Sequence, residues 1–341
     1  MLWLGAILYN RDERRLRALW RLLIQEIGSL LLIIGGAVVC TIVIGNPGWS
    51  QTCGYILGAL ISLGTIVLAG RFLDRRPLSH FGFIGAPHWW TDLAFGLALG
   101  AVLISAIFLT EWLAGWLTID RFGWASAQRW FKGDCVREIV LCIAVAWWEE
   151  PTCRGYQLRN LAEGLNFPRW GARPALVLAW LGSAVVFGIA HIHNPSASAY
   201  TTSSIVAAGL LLGLPRILTG SLAIPIGIHV TWNFFQGAVC GFSVSGSYLG
   251  DPLIQITQTG PSLWTGGAWG PEAGLLGIGA QLVGGLLILG WIRWTRGDLV
   301  VDLALTEGPP RPTPGPPVLS EMTPTPMTAP IPEKLQSSDS T

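Results

Sequence analysis

Two adjacent glutamates and an arginine stand inside a stretch of sequence that is otherwise apolar enough to cross a membrane. They are Glu149, Glu150 and Arg154. A charged side chain in the hydrocarbon region costs roughly 2.5–3.5 kcal/mol on insertion scales, so three together require partners, water or a function. Glu150 and Arg154 share a helix face and can pair, whereas Glu149 points about 100° away and lacks a cation four residues along the helix. An unpaired buried carboxylate suits a general base, so Glu149 is a candidate catalytic residue.

A proline directly after the acids, Pro151, is predicted to bend the same helix. Its ring removes a backbone donor and leaves the carbonyl of Trp147 without its usual helical partner. The purely structural alternative is that Glu150 and Arg154 form a buried ion pair that locks neighbouring helices together. That alternative leaves Glu149 without a role.

Two further polar groups occur in later apolar segments. His191 follows Phe187 by four residues, near the predicted end of one helix. His229 and Asn233 are also four residues apart, so both present hydrogen-bond donors to one point. Taken alone, His191 fits a core histidine better than a catalytic residue. Taken alone, His229 and Asn233 read equally as an interhelical hydrogen-bond pair, which is worth about 0.6 kcal/mol in membranes.

The elements that must position these residues are membrane helices. Of 341 residues, 51% are hydrophobic and 12% charged, against about 25% charged in a typical soluble domain. This composition predicts an all-α polytopic membrane protein, and a net charge of +1 gives no reason to expect a nucleic-acid partner. About eight spans are predicted, at 22–44, 52–72, 91–117, 135–157, 174–192, 201–219, 222–242 and 271–294.

The arginines predict the orientation of these spans. Eight spans place both termini on one side of the membrane, and most of the basic residues flank the loops on that side. These are Arg11, Arg14, Arg15, Arg17, Arg21, Arg71, Arg75, Arg76, Arg159, Arg169, Arg173, Arg216, Arg293 and Arg296. The other side carries Arg121, Arg129, Lys132 and Arg137. By the positive-inside rule, both termini are expected in the cytoplasm. The membrane is expected to be a bacterial inner membrane.

The spacing of the polar groups indicates that they meet. Two helices joined by a turn run antiparallel, and Glu150 and His191 lie equally far from the turn that joins theirs. The acids and His191 are therefore expected at one depth. His229 lies only ~12 Å beyond the predicted start of its span, so the two earlier helices are expected to extend into the cytoplasm. Arg159, Glu163, Arg169 and Arg173 would then lie in water.

The ordered motifs EExxxR, FxxxH and HxxxN resemble those of the CPBP family of intramembrane proteases, which includes the CAAX prenyl endopeptidase type 2 and bacterial Abi-type proteins. The resemblance covers residues 135–246. It implies an eight-helix membrane fold whose polar intramembrane cavity faces the cytoplasm. It also implies hydrolysis of a peptide bond near the carboxyl terminus of a membrane-anchored or lipidated protein or peptide. Cys153, where family members often have an aromatic residue, and Pro151 depart from the pattern.

The resemblance also implies a role for each motif residue. Glu149 resembles the base that activates water, and His191 its partner on that water. His229 and Asn233 resemble the donors to the tetrahedral oxyanion. Glu150, Arg154 and Phe187 resemble supporting residues.

Other mechanisms and functions stay open from sequence. No cofactor is expected. Glu149, His191 and His229 could hold a zinc ion, but the sequence contains no HExxH motif. Cys153 could be a nucleophile but has no base on its own helix. The polar residues could instead form a proton relay in a transporter, for which no inverted repeat is visible, or belong to an inactive scaffold. Whether the substrate is prenylated also stays open.

The chain is accordingly predicted to have five segments. These are a cytoplasmic basic amphipathic segment (1–21), N-terminal transmembrane helices (22–134), the catalytic core (135–246), an outer loop with the last transmembrane helix (247–302), and a disordered Pro/Thr-rich cytoplasmic tail (303–341). The expected partners are the lipid bilayer and the membrane-anchored substrate.

Overall fold

The computed structural model describes residues 8–11, 13–83, 85, 88–122 and 135–309. The predictions for the first residues of the basic segment, for Arg129 and Lys132, and for the tail beyond Pro309 lie outside these residues.

The described residues are mostly helical, as the composition predicts. The α-helices are α1 (Ala18–Val43), α2 (Pro47–Ala69), α3 (Trp89–Leu113), α4 (Cys135–Glu150), α5 (Leu158–Gly164), α6 (Ala172–Ile189), α7 (Ala199–Thr219), α8 (Ala223–Asn233), α9 (Ser262–Thr265) and α10 (Leu275–Arg296). Short π-helices continue α2 (Gly70–Asp74), α4 (Pro151–Gln157) and α8 (Phe234–Val239). Two antiparallel pairs complete the fold: β1 (Tyr9–Asn10) with β2 (Arg15–Leu16), and β3 (Leu117–Phe122) with β4 (Ile254–Gln258).

Six segments of the described chain are long and apolar enough to cross a membrane, so this is an integral membrane protein. They are Ala18–Val43, Pro47–Asp74, Trp89–Leu113, Ala172–Ile189, Ala199–Thr219 and Leu275–Arg296. The predicted count of eight is not confirmed. The predicted fourth and seventh spans do form helices, but π-helices interrupt both, and the fourth also carries four charged residues before its proline.

Glycines bring α3 and α8 into close contact. A Cβ at Gly96 in α3 would lie 2.5 Å from the carbonyl oxygen of Ile224. A Cβ at Gly227 in α8 would lie 2.6 Å from the carbonyl oxygen of Leu93. Small residues permit such backbone approach in membrane bundles. They fix the position of α8, which carries His229.

One end of the bundle is held by a buried cluster of arginines around Glu163 of α5. The carboxylate of Glu163 accepts from Arg15 at 2.6 Å, Arg21 at 2.5 Å and Arg76 at 2.6 Å. Arg21 also pairs with Asp74 at 2.7 Å. Burial acts to raise the pKa of Glu163, but the three guanidinium groups hold that pKa below its usual range. The expectation that Glu163 lies in water is wrong, because three cations from distant segments converge on it.

Arg159 and Arg216 are also buried at this end, so the expectation that Arg159 lies in water is wrong as well. Arg159 donates to the carbonyl of His80 at 3.1 Å, and Arg216 donates to the same carbonyl at 3.2 Å. Backbone carbonyls thus solvate guanidinium groups that water would otherwise solvate. Across the same end, Arg296 pairs with Asp92 at 2.5 Å.

The residues after α10 fold back onto this end of the bundle. Leu303–Thr306 form a 3-10 helix in which Leu305 is buried. Arg159 donates to the carbonyl of Ala304 at 3.0 Å, and Asp302 donates its backbone N–H to the carbonyl of Ile217 at 2.7 Å. The packed part of the chain therefore extends to Pro309, past the boundary predicted at residue 303.

Candidate functional site

The structure brings the separate sequence motifs to one cavity of about 180 Å³. Glu149 of α4, Phe187 and His191 at the end of α6, and His229 and Asn233 of α8 all line it. Glu149 and His191, which the sequence predicts to lie at one depth, thus line the same cavity. The remaining two motif residues, Glu150 and Arg154, lie directly behind this wall.

Glu150 and Arg154 form the ion pair that their spacing predicts. Arg154 Nη1 donates to Glu150 Oε1 at 3.0 Å, and both side chains are at most 1% exposed. The same oxygen accepts from His229 Nδ1 at 2.8 Å. The guanidinium of Arg154 also lies 4.0 Å over the ring of Phe187, a cation–π contact. One buried carboxylate therefore joins α4, its π-helix and α8.

The contact with Glu150 fixes which nitrogen of His229 faces the cavity. An ionised carboxylate can only accept, so Nδ1 carries a proton and donates it to Glu150. Nε2 then lies 3.8 Å from Glu149 Oε2. A neutral ring would present a lone pair at Nε2, whereas the imidazolium would present a second donor. Carboxylate oxygens thus lie near both nitrogens of the His229 ring.

Glu149 is the more accessible of the two acids. Its side chain is 22% exposed, while that of Glu150 is fully buried. At 3.8 Å, its contact with His229 is longer than a hydrogen bond and leaves the carboxylate able to accept from a water molecule. The two neighbouring acids thus occupy different environments, one holding cations and one facing the cavity.

His191 lies in the turn directly after α6 and is oriented by the backbone of that helix. Its Nδ1 lies 2.8 Å from the carbonyl oxygen of Phe187, which can only accept, so Nδ1 is the protonated nitrogen. The neutral ring then keeps Nε2 free to accept a proton. The ring of Phe187 packs edge-on against His191 at 4.9 Å and against His229 at 6.4 Å between centroids. Phe187 therefore separates and positions both imidazoles.

The predicted bend at Pro151 takes the form of a π-helix, which starts at that proline and ends at Gln157. Side chains from other helices bind the carbonyls of this segment. Ser183 Oγ donates to the carbonyl of Cys153 at 2.9 Å, and Arg216 Nε donates to the carbonyl of Arg154 at 3.0 Å. Cys153 is not among the residues that line the cavity.

Part of the cavity wall comes from residues that the sequence motifs do not include. Glu272, between α9 and α10, accepts from the backbone N–H of Ser245 at 2.5 Å and from the side chain of Gln236. Burial raises the pKa of Glu272 to about 7. Gln51 and Tyr55 of α2 line the other side. A lone acid in the apolar stretch Gly270-Pro271-Glu272-Ala273-Gly274 was a signal that could have identified Glu272.

The zinc alternative requires three ligands around one point. Among the described residues, no three histidine, cysteine or acidic side chains are arranged to hold a metal ion. His229 already directs one nitrogen to Glu150, and His191 one nitrogen to a carbonyl. The nitrogen left on each ring and Glu149 Oε2 face the cavity without forming such a cluster.

Comparison with known protein families gives a match in the part of the chain that carries all the motifs. Residues 133–235 match the model of a family described as type II CAAX prenyl endopeptidase Rce1-like. The comparisons with curated proteins and with solved structures gave no match. Gln51, Tyr55 and Glu272 lie outside the matched residues.

Proposed function

We propose that this chain hydrolyses a peptide bond in a membrane-anchored protein or peptide within the cavity described above. The match of residues 133–235 to the Rce1-like family of type II CAAX prenyl endopeptidases supports a membrane protease at family level. The observation that supports this most is the convergence of Glu149, His191, His229 and Asn233 on one cavity from three helices.

In the proposed reaction, Glu149 takes a proton from a water molecule as the water oxygen bonds to the scissile carbonyl carbon. His191, with its free Nε2, holds the same water. Nε2 of the His229 imidazolium and the amide of Asn233 donate to the oxyanion that forms. The proton on Glu149 then passes to the leaving nitrogen as the C–N bond breaks, which restores the carboxylate.

Glu150 and Arg154 act through His229 in this proposal. The charge of Glu150 stabilises the imidazolium, and its hydrogen bond to Nδ1 aims Nε2 at the cavity. Arg154 donates to Glu150 and holds its carboxylate in place. Phe187 supports the set by packing against Arg154 and both histidines.

The experiment that tests the function is turnover of a membrane-tethered reporter peptide by the purified protein, with Asn233→Ala as the informative variant. Loss of one oxyanion donor is expected to lower turnover about 10²- to 10³-fold while substrate binding persists. Asn166→Ala is the control, since Asn166 donates to the carbonyl of Thr306 away from the cavity. Equal activity of the two variants would remove Asn233 from the site, and absence of cleavage by the parent would contradict the proposed function.

Metal-free activation of water is part of the proposal. Purified protein is expected to hold substoichiometric zinc by elemental analysis and to keep its turnover after prolonged chelation. Stoichiometric zinc, together with activity that returns only when metal is added back, would instead make Glu149, His191 and His229 ligands. Chelator that has been saturated with calcium beforehand controls for effects on the membrane or detergent.

A further inference from the structure

The helix ends separate into two ends of the bundle with different chemistry. We call the first the arginine end. It holds the start of α1, the end of α2, α5, the end of α7 and the end of α10, joined by the contacts of Glu163, His80 and Asp92. The opposite end holds the start of α2, the start of α4, the end of α6 and the segment 240–274. Asn194 there donates to the carbonyl of Ser245 at 3.1 Å.

The cavity extends from the middle of the bundle toward this opposite end. Glu149 lies midway along the continuous helical stretch from α4 to α5, ~22 Å from each end at 1.5 Å per residue. Beyond it, the wall includes Gln51 in the first turns of α2, Leu141 in the first half of α4, Ser245, and Gln281 in the first turns of α10. Among the described residues, none at the arginine end lines the cavity.

The two ends of the bundle also differ in surface charge. Exposed arginines at the arginine end are Arg11, Arg14, Arg17, Arg71, Arg75, Arg169, Arg173 and Arg293. At the opposite end, the described residues include Arg121 and Arg137 as the only arginines or lysines, and Arg137 is partly buried against Glu138. Excess of Lys and Arg in short loops marks the cytoplasmic side of a membrane protein. The arginine end is therefore the end that this rule places in the cytoplasm.

These observations disagree with the cytoplasm-facing cavity that the family resemblance implies. We propose that the cavity receives its substrate from the non-cytoplasmic side, and that the substrate is an exported or membrane-tethered protein whose cleaved segment lies outside the cytoplasm. This inference rests on the proposed function for the cleavage step. The sidedness of the cavity is a separate property that can be measured without cleavage.

The first test is the accessibility of single cysteines to a membrane-impermeant maleimide added to intact cells. Tyr248→Cys reports the cavity end, since Tyr248 is 74% exposed, and Arg173→Cys reports the arginine end. Both are placed in a background with Cys53→Ser and Cys135→Ser, because these two cysteines are partly exposed near the cavity end. The background protein alone gives the unspecific signal.

Tyr248→Cys is expected to label in intact cells, and Arg173→Cys only after the membrane is permeabilised. The reverse pattern would overturn the inference and leave the proposed function standing. Labelling of both variants in intact cells would also overturn it, because the arginine end would then not be cytoplasmic.

The second test uses two reporters with the same cleavable segment on one transmembrane helix, displayed on opposite sides of the membrane. The parental protein is expected to cleave the reporter displayed outside at least ten times faster than the one displayed inside, on the order of a 1.4 kcal/mol preference. Glu149→Gln measured beside it excludes cleavage by host proteases. Cleavage of the inside reporter alone would overturn the inference. If neither reporter is cleaved, the proposed function is contradicted, and the inference about the substrate is contradicted as well.

Discussion

Glu149→Gln is expected to lower turnover of a tethered reporter peptide by about 10²- to 10⁴-fold, the contribution usual for a general base. The amide keeps the shape and hydrogen-bonding capacity of the side chain and removes its basicity. The folded structure should persist, because Glu149 takes no part in the buried ion pair and its side chain is 22% exposed. Single-turnover rates measured beside reporter affinity separate a loss of chemistry from a loss of binding.

The matched control for this substitution is Glu111→Gln. Glu111 is a buried carboxylate of α3 that accepts from Gln258 at 2.7 Å and does not line the cavity. Its amide variant should cleave the reporter at close to the parental rate. If Glu149→Gln is as active as this control, the assignment of the base is wrong whatever the family relationship.

Glu150→Gln is expected to destabilise the fold, in contrast to Glu149→Gln. The substitution removes the charge that Arg154 and His229 share, and leaves a buried guanidinium without its counterion. Breaking a buried pair in this way costs roughly 3–5 kcal/mol. The midpoint of thermal unfolding in one detergent should fall clearly, and turnover should fall as well because His229 loses the partner that orients it.

Two further variants test whether Glu150→Gln destabilises the protein because the pair is buried or because any loss of charge does so. Adding Arg154→Met to Glu150→Gln removes the unpaired cation, so the double variant should recover part of the stability that the single variant loses. Asp298→Asn breaks an ion pair with Arg293 whose side chains are 62% and 82% exposed, and should shift the midpoint little. If Glu150→Gln has the same midpoint of thermal unfolding as Asp298→Asn, the pair of Glu150 with Arg154 is not buried.

The sequence predicts contacts between residues that are close together in the chain. The pair of Glu150 with Arg154 was predictable because both residues lie on one helix four positions apart, where geometry is independent of the rest of the chain. The apolar spans were predictable from composition and length for the same reason. The position of His191 beside the acids followed from the antiparallel run of two helices joined by one turn.

Contacts between segments distant in sequence were not predictable in this way. The hydrogen bond from His229 to Glu150 spans 79 positions, and the approach of α8 that permits it depends on glycines facing α3. Glu163 was expected in water because its helix was predicted to extend into the cytoplasm, yet buried arginines from the amino terminus and from the turn after α2 surround it. Glu272 was overlooked because it belongs to none of the motifs. Burial of a charge is decided by such nonlocal partners.

The π-helix that follows Glu150 has a consequence for how this protein can change in evolution. It lies between α4 and α5, and a π turn holds one residue more than an α turn. Loss of one residue from this segment would rotate α5 by about 100° relative to α4. Glu149 could then not keep its place in the cavity wall while Glu163 keeps its three arginines. The length of this segment is therefore constrained by the cavity and by the arginine end together.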